Sequence, residues 1–515
     1  MNDYLLGSRT LGVLPVALSL VGCYVSGVST LGTYSLIALA IIAMAFPVAY
    51  VYLPVFYVLG VHSSYEIFFL PMVIHIPSIT FQQVTGVHAI IVSTVISVLC
   101  IAYTLVVSSL SVCNDWLRLV LTSYHPYVHL QGGIKAVIYT DAFQVSVMFW
   151  TVITVVIIGI IYGGGFGPIF EAASDGGRLI FANLNPSMLE RQTLWAVLIG
   201  GFSFWTCFNA VHQSVVQRYL SLSSLKKARQ SILLFTASTV FFIVVLCIGG
   251  LLVYQTYAKC DPISAKLIDQ DDQLFPLYVM QTVGNLPGVP GLFVAGVFGA
   301  ALSTMSTVLN TTALVIMEDI VKIFIKIELS PKAANYLVKG SVLILGVIGL
   351  ALSFLFQHLE GILSVATSLN GLASSALFGM FTLGMLFPWT NSIGALTGAI
   401  IGYLMSFWIV FGIQIVNYMG LVVRNKLPLD VSGCPFNVTL PEPQEQPDIF
   451  PVFLISYHWT NPIGVGTTLV VGAIVSLATK PTKLSEINMD YLAPFTHRFF
   501  RKFMPKPQDT AGPVA

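Results

Sequence analysis

Polar residues inside long apolar stretches are the residues of this sequence most able to do chemistry. Asp141 lies in GGIKAVIYTDAFQ, at the start of an apolar stretch, and Gln144 follows almost one helical turn later on the same helix face. A carboxylate in such a stretch needs a cation or hydrogen-bond donors. The residues alone leave two interpretations open: a cation-binding carboxylate, or a buried one satisfied by hydroxyl groups or interfacial water.

A second apolar stretch, AALSTMSTVLNTT, places oxygen atoms along one face of a helix. Hydroxyl and carbonyl oxygens are ligands that hard cations such as sodium accept. The alternative is that small polar residues let helices pack closely, at ~0.6 kcal/mol for each hydrogen bond between helices, and this segment alone favours that alternative. The residues of this face and beside it are Ala300, Ser303, Thr304, Ser306, Thr307 and Asn310.

Two further apolar stretches contain residues that favour an interruption of the helix. SLVGCYVSGVSTLGT is dense in small residues, including Ser19, Gly22, Ser26 and Ser29, and GGFSFWTCFNAVHQ places Gly200 and Gly201 before a polar run. Each stretch begins a group of five apolar segments. Interrupted helices at matching positions of two halves predict an inverted repeat with a binding site at the bilayer midplane.

The polar run of the second stretch offers residues that could contact a bound molecule. His212 and Gln213 end it, and Phe204 and Trp205 could stack on a substrate. A single histidine in an apolar stretch is more often packed and hydrogen-bonded than a ligand. Aromatic residues there are also usually packing, so both interpretations remain open for these four residues.

The elements that must position these residues are membrane-spanning helices. Among 515 residues, 56% are hydrophobic and only 9% are charged, which excludes a water-soluble globular surface. Apolar stretches of about 20 residues match the hydrocarbon core of a bilayer. Twelve spans are predicted, at about 10–33, 35–57, 66–84, 88–108, 136–163, 194–216, 231–256, 291–318, 337–356, 361–386, 391–417 and 461–479.

Charge and cysteine positions predict an orientation. With both termini cytoplasmic, 17 of the 23 Lys and Arg residues, Arg218 among them, fall on the inner side. The sequon at Asn437 then lies in an outer loop and is a glycosylation candidate, whereas the sequon at Asn310 lies within a span. Cys260 and Cys434 fall in outer loops, where they are either paired or free.

Net charge near neutrality gives no support for nucleic-acid binding. The spans contain no nucleophile–base pair, metal-ligand cluster or phosphate-binding glycine loop, so we expect neither an enzyme nor an organic cofactor.

Several segments of the chain resemble signature segments of the sodium/solute symporter family. They are GGIKAVIYTDAFQ, SVVQRYLSLSSLKKARQS, and PGLFVAGVFGAALSTMSTVLN followed by MEDI, within a resemblance from about Gly132 to Thr479. The most similar branch is the animal iodide, monocarboxylate and multivitamin group. Ser29 stands where the iodide branch has a glutamine, and His212 stands where an asparagine is usual, so iodide is disfavoured.

The resemblance implies an all-α membrane protein with a five-plus-five inverted-repeat core and additional C-terminal helices. It also implies a principal sodium site between the first and eighth core helices. Carried over by motif, that site would use the carbonyl groups of Gly22, Val25 and Ala300 and the hydroxyl groups of Ser303 and Thr304. A second cation position would use Asp141 and Ser306, and Gln144 matches a glutamine of the same region.

The first part of the chain departs from the family. An extra first span usual in the family is missing, the regions after Thr33 and Glu66 are short, and residues 105–131 form an atypical insert. Either an incomplete or misassembled gene sequence or a divergent, remodelled transporter would explain these departures, and the former is favoured.

From these observations we expect a cytoplasmic segment 1–9, a transporter core 10–386, two additional spans within 387–479 with an outer loop 418–460, and a cytoplasmic tail 480–515. The expected function is sodium-coupled import of a small organic anion, such as a monocarboxylate or a biotin- or pantothenate-type vitamin, across the plasma membrane. The rival is a solute sensor or sodium-conducting protein that does not couple transport. Expected binding partners are sodium, the organic anion and the lipid bilayer.

Overall fold

The computed structural model describes residues 11–24, 35–59, 70–109, 134–180, 182–356, 362–423, 427–434, 445–483 and 487–500. The chain is helical throughout these ranges apart from connecting loops, turns and one isolated bridge between Leu11 and Leu222. Val25, Ser26, Ser29 and Asn437, together with residues 110–131 of the insert, lie outside the described ranges.

The helices of the first half follow the predicted spans closely. They are α1 Val13–Tyr24, α2 Ser35–Pro47, which continues through a π-helical segment Val48–Tyr52 into α3 Leu53–Leu59, α4 Leu70–Thr85, α5 Ala89–Ser109, α6 Ile134–Tyr162 and the short α7 Phe166–Asp175. A π-helical segment Ala196–Gly201 then leads into α8 Phe202–Val211 and α9 Gln213–Leu220.

The helices of the second half also follow the predicted spans. They are α10 Leu225–Tyr257, α11 Leu274–Val283, α12 Val289–Val315 with a π-helical extension Ile316–Phe324, α13 Pro331–Phe356, α14 Ile362–Leu386, α15 Ser392–Tyr418, α16 Thr460–Ala478 and the short α17 His497–Phe500. Twelve helical segments of the described chain thus fall at the twelve predicted spans.

Eight of these segments are long and apolar enough to cross a membrane, and Ala89–Leu105 and Ala196–Val211 are shorter apolar helices. Large apolar side chains point outward from them: on α15, Leu396, Ile400 and Phe411 are about half exposed. Outward apolar side chains suit contact with lipid, since a helix satisfies its own backbone hydrogen bonds there. The all-helical membrane fold predicted from composition is therefore the fold observed.

The break predicted within GGFSFWTCFNAVHQ occurs at His212, in the polar run that follows the glycine pair. His212 is extended, with φ −65° and ψ 127°, and separates α8 from α9. Gly200 and Gly201 instead belong to the π-helical segment. A Cβ on Gly200 would collide with the backbone carbonyl of His458, so this glycine serves close packing and not helix breakage. The corresponding interruption predicted after α1 lies outside the described residues.

Glycine also sets the spacing of the last two spans. Gly394, Gly398 and Gly402 of α15 face Gly472, Thr468 and Gly464 of α16, and a Cβ on Gly398 would lie 2.6 Å from the Thr468 carbonyl oxygen. Small residues let membrane helices approach this closely. The additional helices therefore form a tightly packed pair beside the core.

Candidate sodium and solute site

The centre of the site is Asp141, which is fully buried on α6. Its Oδ1 accepts a hydrogen bond from Ser303 Oγ of α12 at 2.6 Å. Its Oδ2 accepts from Ser19 Oγ of α1 at 2.8 Å and from Arg218 Nη2 of α9 at 2.6 Å. Thr307 Oγ1 approaches Oδ2 more distantly, at 3.4 Å. One carboxylate thus joins α6 to three other helices.

Arg218 supplies the positive charge that Asp141 needs. Its guanidinium also donates to Ser19 Oγ at 2.7 Å, to the Ser214 carbonyl at 2.6 Å and to Thr307 Oγ1 at 2.9 Å. Arg218 is only 2% exposed. Arg218, counted among the residues of the inner side, thus lies in α9, which continues the sixth span past its predicted end at residue 216.

The two interpretations of Asp141 are both partly realised. The carboxylate is satisfied by hydroxyl groups, as the structural interpretation requires, and it is also paired with a cation, which is a guanidinium. Ser306 bonds to the Ser303 carbonyl at 3.1 Å and makes no contact with Asp141 among the contacts that the described chain shows. Gln144 lies against Gly299 of α12, and its Oε1 accepts no hydrogen bond within the described ranges.

The predicted oxygen face of α12 is buried. Ala300, Ser303, Thr304 and Ser306 are each at most 2% exposed. Ser303 donates its hydroxyl hydrogen to Asp141, and Thr304 donates its own to the Ala300 carbonyl at 3.0 Å. A hydroxyl that donates its hydrogen still has two lone pairs for a cation. The donor set therefore fits sodium, an ion that takes oxygen ligands.

Only one of the two α1 residues that the family resemblance implies for this site lies within the described ranges. Gly22 lies within the last turns of α1, and α1 packs against α6, α10 and α12. Val25 lies beyond the described end of α1, so the α1 half of the sodium site stays a prediction.

The residues considered for substrate contact gather at the break between α8 and α9. The His212 ring lies 4.4 Å from the Phe208 ring, centroid to centroid, and Phe204 packs edge-on to Trp205. His212, Gln213, Phe204 and Trp205 are all buried. Ser26 and Ser29, which would face them from the other interrupted span, lie outside the described residues.

Hydrogen bonds that the sequence did not suggest support this break. Tyr219 Oη of α9 donates to Asn209 Oδ1 of α8 at 3.2 Å, and Asn209 Nδ2 donates to the Trp205 carbonyl at 2.9 Å. Because the Tyr219–Asn209 bond crosses the extended residue His212, it ties the two helix pieces together, while the Asn209–Trp205 bond holds Asn209 within α8. Tyr219 and Arg218, side by side on α9, therefore place the broken helix against the Asp141 network.

A disulfide joins two loops of the chain. Cys260 and Cys434 are disulfide-bonded, with their Cα atoms 4.9 Å apart. Gly433 N donates to the Lys259 carbonyl at 2.8 Å, and Arg178 Nη2 donates to the Pro428 carbonyl at 2.6 Å. The loop between α15 and α16 is thereby attached to the end of α10.

A broken helix, a buried hydroxyl face and an all-helical membrane bundle together define a carrier of the sodium-coupled kind. Residues 4–402 match the model of the Sodium:solute symporter family, and the chain belongs to that family.

Similarity to individual proteins agrees with this assignment. The human "Sodium-coupled monocarboxylate transporter 1" is 34% identical over 93% of this chain and 82% of its own length. A "Putative sodium-dependent multivitamin transporter" of Drosophila melanogaster is 28% identical over 92% of this chain and 81% of its own. A solved Na⁺-coupled sialic acid symporter, 18% identical, superposes with a TM-score of 0.66 over 93% of both chains. The fold is thus the LeuT-like one.

Proposed function

We propose that this sodium-coupled symporter imports a small organic anion, a monocarboxylate or a carboxylate vitamin of the biotin or pantothenate type, across the plasma membrane. The relatives named for monocarboxylates and for vitamins support the substrate class. The observation that carries the mechanism is the Asp141 network, because it links the proposed sodium ligand Ser303 directly to α1 and α9.

Sodium would bind between α1 and α12. Its ligands would be the Gly22, Val25 and Ala300 carbonyl groups and the Ser303 and Thr304 hydroxyl groups. Since Asp141 takes the hydrogen of Ser303, it turns the lone pairs of that oxygen away from the carboxylate. Bound sodium would hold α1 and α12 together and so shape the cavity before the carrier changes its facing.

The second cation position, at Asp141 and Ser306, is a weaker proposal for this conformation. Arg218 already compensates the Asp141 charge at 2.6 Å, and an added cation would lie close to the guanidinium. A sodium ion at Asp141 therefore requires Arg218 to withdraw. Such an exchange would couple the sodium site to the broken helix that carries Arg218.

The organic anion would occupy the region of the break. His212, Gln213, Phe204, Trp205 and Gln144 are the proposed contacts from the described chain. Ser26 and Ser29 complete the proposed set. Gln144 supports this proposal because its buried Oε1 has no hydrogen-bond partner within the described ranges, and buried polar atoms normally have one.

Orientation follows from two features at opposite ends. The disulfide suits an oxidising exterior, and Lys226, Lys227, Lys322 and Lys332 lie at the other end, as expected for a cytoplasmic face. Both termini would then be cytoplasmic, and Asn437 would be accessible to glycosylation.

The energy available is adequate. One net charge moving through 100 mV yields about 2.3 kcal/mol, and tenfold accumulation costs about 1.4 kcal/mol. Two sodium ions carried with one monovalent anion would move one net charge and could therefore concentrate an organic acid more than tenfold.

The test is uptake of labelled lactate, nicotinate, biotin and pantothenate into proteoliposomes that contain the purified protein. Accumulation of at least one compound should require an inward sodium gradient and should fall in the double variant Ser303→Ala/Thr304→Ala. Uptake of none of the four, or uptake indifferent to sodium, would overturn the proposal and favour the sensor or sodium-conducting alternative.

A further inference from the structure

A second polar cluster lies far from Asp141, at the disulfide end of the bundle. It is centred on Tyr457, which is 6% exposed. The Arg191 guanidinium lies 5.8 Å from the Tyr457 ring centroid, Gln192 Nε2 donates to Tyr457 Oη at 2.9 Å, and the His458 ring lies 4.3 Å from that ring. Trp459 follows in the same 3-10 turn.

The cluster is built by two loops held together. Ser456 N donates to the Met188 carbonyl at 2.9 Å, and Ser456 Oγ donates to the Arg191 carbonyl at 2.8 Å. Gly200 leaves room for the His458 carbonyl beside it. These contacts hold the segment that leads into α16 against the segment that leads into α8.

Five buried polar atoms of this cluster have no hydrogen-bond partner among the residues that the structure describes. They are Arg191 Nη2, Gln192 Oε1, both ring nitrogens of His458 and Trp459 Nε1. Leaving such an atom unpaired is energetically costly. So many unpaired polar atoms on four residues around Tyr457 and its turn is the pattern expected of a site that binds something polar.

The charges of the cluster favour an anion. Arg191 makes no ion pair within the described ranges, and burial lowers the pKa of its guanidinium, although Tyr457 and Asp271 attract the charge. The neighbouring Glu190 is occupied by the side-chain amides of Asn183 and Asn185. A cation is therefore half-buried here with an open N–H group and no carboxylate bonded to it.

We infer that Arg191, His458 and Trp459 form a binding site for a small monovalent anion, either a halide or the carboxylate of a small organic acid. Arg191 supplies the charge, and the Trp459 indole and one His458 ring nitrogen supply N–H donors. Gln192 can turn its amide to offer a further donor. A single arginine suits one negative charge better than a phosphate dianion. The site is separate from the proposed central site and does not depend on transport.

The experiment measures thermal unfolding of the purified full-length protein in sodium methanesulfonate at fixed ionic strength, while chloride or lactate replaces methanesulfonate. The unfolding midpoint of the wild type should rise and saturate with at least one of the two anions, because a ligand that binds the folded state stabilises it. Saturation with chloride identifies a halide site, and saturation with lactate identifies a carboxylate site.

Two variants test where the anion binds. Arg191→Gln should raise the anion concentration that gives half of the stabilisation at least ~10-fold, since it removes a charge-assisted hydrogen bond. Trp459→Phe keeps the ring but removes one N–H, and should weaken the response several-fold even if the arginine variant does not fold.

Arg178→Gln is the matched control. Arg178 also stacks on a tyrosine, Tyr254, at the same end of the bundle, but its Nη2 is already bonded to the Pro428 carbonyl. The rise of its unfolding midpoint with anion concentration should equal that of the wild type. A midpoint that never saturates, or a saturable response unchanged in both Arg191→Gln and Trp459→Phe, would overturn the proposal and leave water as the occupant.

Discussion

Arg218 Nη2 lies 2.6 Å from Asp141 Oδ2, and the two side chains are 3% and 0% exposed. The pair joins α6 to α9, the second piece of the broken helix. Asp141 also bonds to Ser303, a proposed sodium ligand. A change at the proposed sodium site therefore reaches α9, which borders the proposed solute cavity, through the Asp141 side chain.

Asp141→Asn should strongly destabilise the protein, because it leaves the Arg218 charge buried without compensation. Removal of one partner from a buried ion pair costs about 3–5 kcal/mol. Thermal unfolding in detergent, compared with the double variant Asp141→Asn/Arg218→Gln, measures the coupling. The double variant should lose less than the sum of the two single changes. Strict additivity would show that the pair contributes nothing as a pair.

Ser303→Ala should weaken sodium activation more than it affects substrate affinity. The change removes one proposed sodium ligand and the hydrogen bond to Asp141 Oδ1. We expect the sodium concentration for half-maximal uptake to rise at least ~10-fold, since a hydrogen bond to a charged group contributes about 1.5–3 kcal/mol.

Thr311→Ala is the control on the same helix. Among the described residues, the Thr311 hydroxyl bonds only to the Thr307 and Val308 carbonyls of its own helix. Its sodium dependence should stay within about twofold of the wild type. Equal sodium dependence in Ser303→Ala and the wild type would remove Ser303 from the site.

Gly200→Ala should destabilise the join between the sixth and last spans. The added methyl group would meet the His458 carbonyl, which the backbone cannot easily move. Overpacking of this kind costs about 1–3 kcal/mol. Gly250→Ala in α10 has open space around it and should be neutral or slightly stabilising. A Gly200 variant as stable as the Gly250 variant would contradict the packing described for His458.

Removing the disulfide should lower stability at that end of the bundle without abolishing the fold. The bond joins residues 174 positions apart, for which chain entropy gives up to about 5 kcal/mol. The contacts of Lys259 with Gly433 and of Arg178 with Pro428 should retain part of the loop geometry. Cys260→Ser/Cys434→Ser should unfold at the temperature of the reduced wild type and should not respond to reductant. A reductant effect that persists in the double variant would require another bond.

The helices were largely predictable because their apolar stretches are long and uninterrupted by charge. Asp141 and the α12 hydroxyl residues were also identifiable, since polar residues in such stretches stand out. Arg218 was missed as a site residue for the converse reason: an arginine at the end of an apolar stretch is ordinarily counted with the loop. The Asp141 carboxylate was the signal that a buried cation or a set of hydrogen-bond donors had to lie beside it.

Other features depend on contacts that sequence spacing does not reveal. The packing role of Gly200 depends on His458, 258 residues later. Arg191 and Tyr457 are similarly remote in sequence, and neither lies in a motif. The pairing of Cys260 with Cys434 was one of two open possibilities until their separation was known.

Coupling is the central claim, and simultaneous fluxes measure it most directly. Radiolabelled sodium and a labelled organic acid found to be transported should enter proteoliposomes together, in a fixed ratio, with each flux dependent on the other ligand. Ser303→Ala should reduce both fluxes at low sodium, whereas Thr311→Ala should reduce neither. Sodium entry without substrate at the same rate, or substrate entry without sodium, would contradict the account.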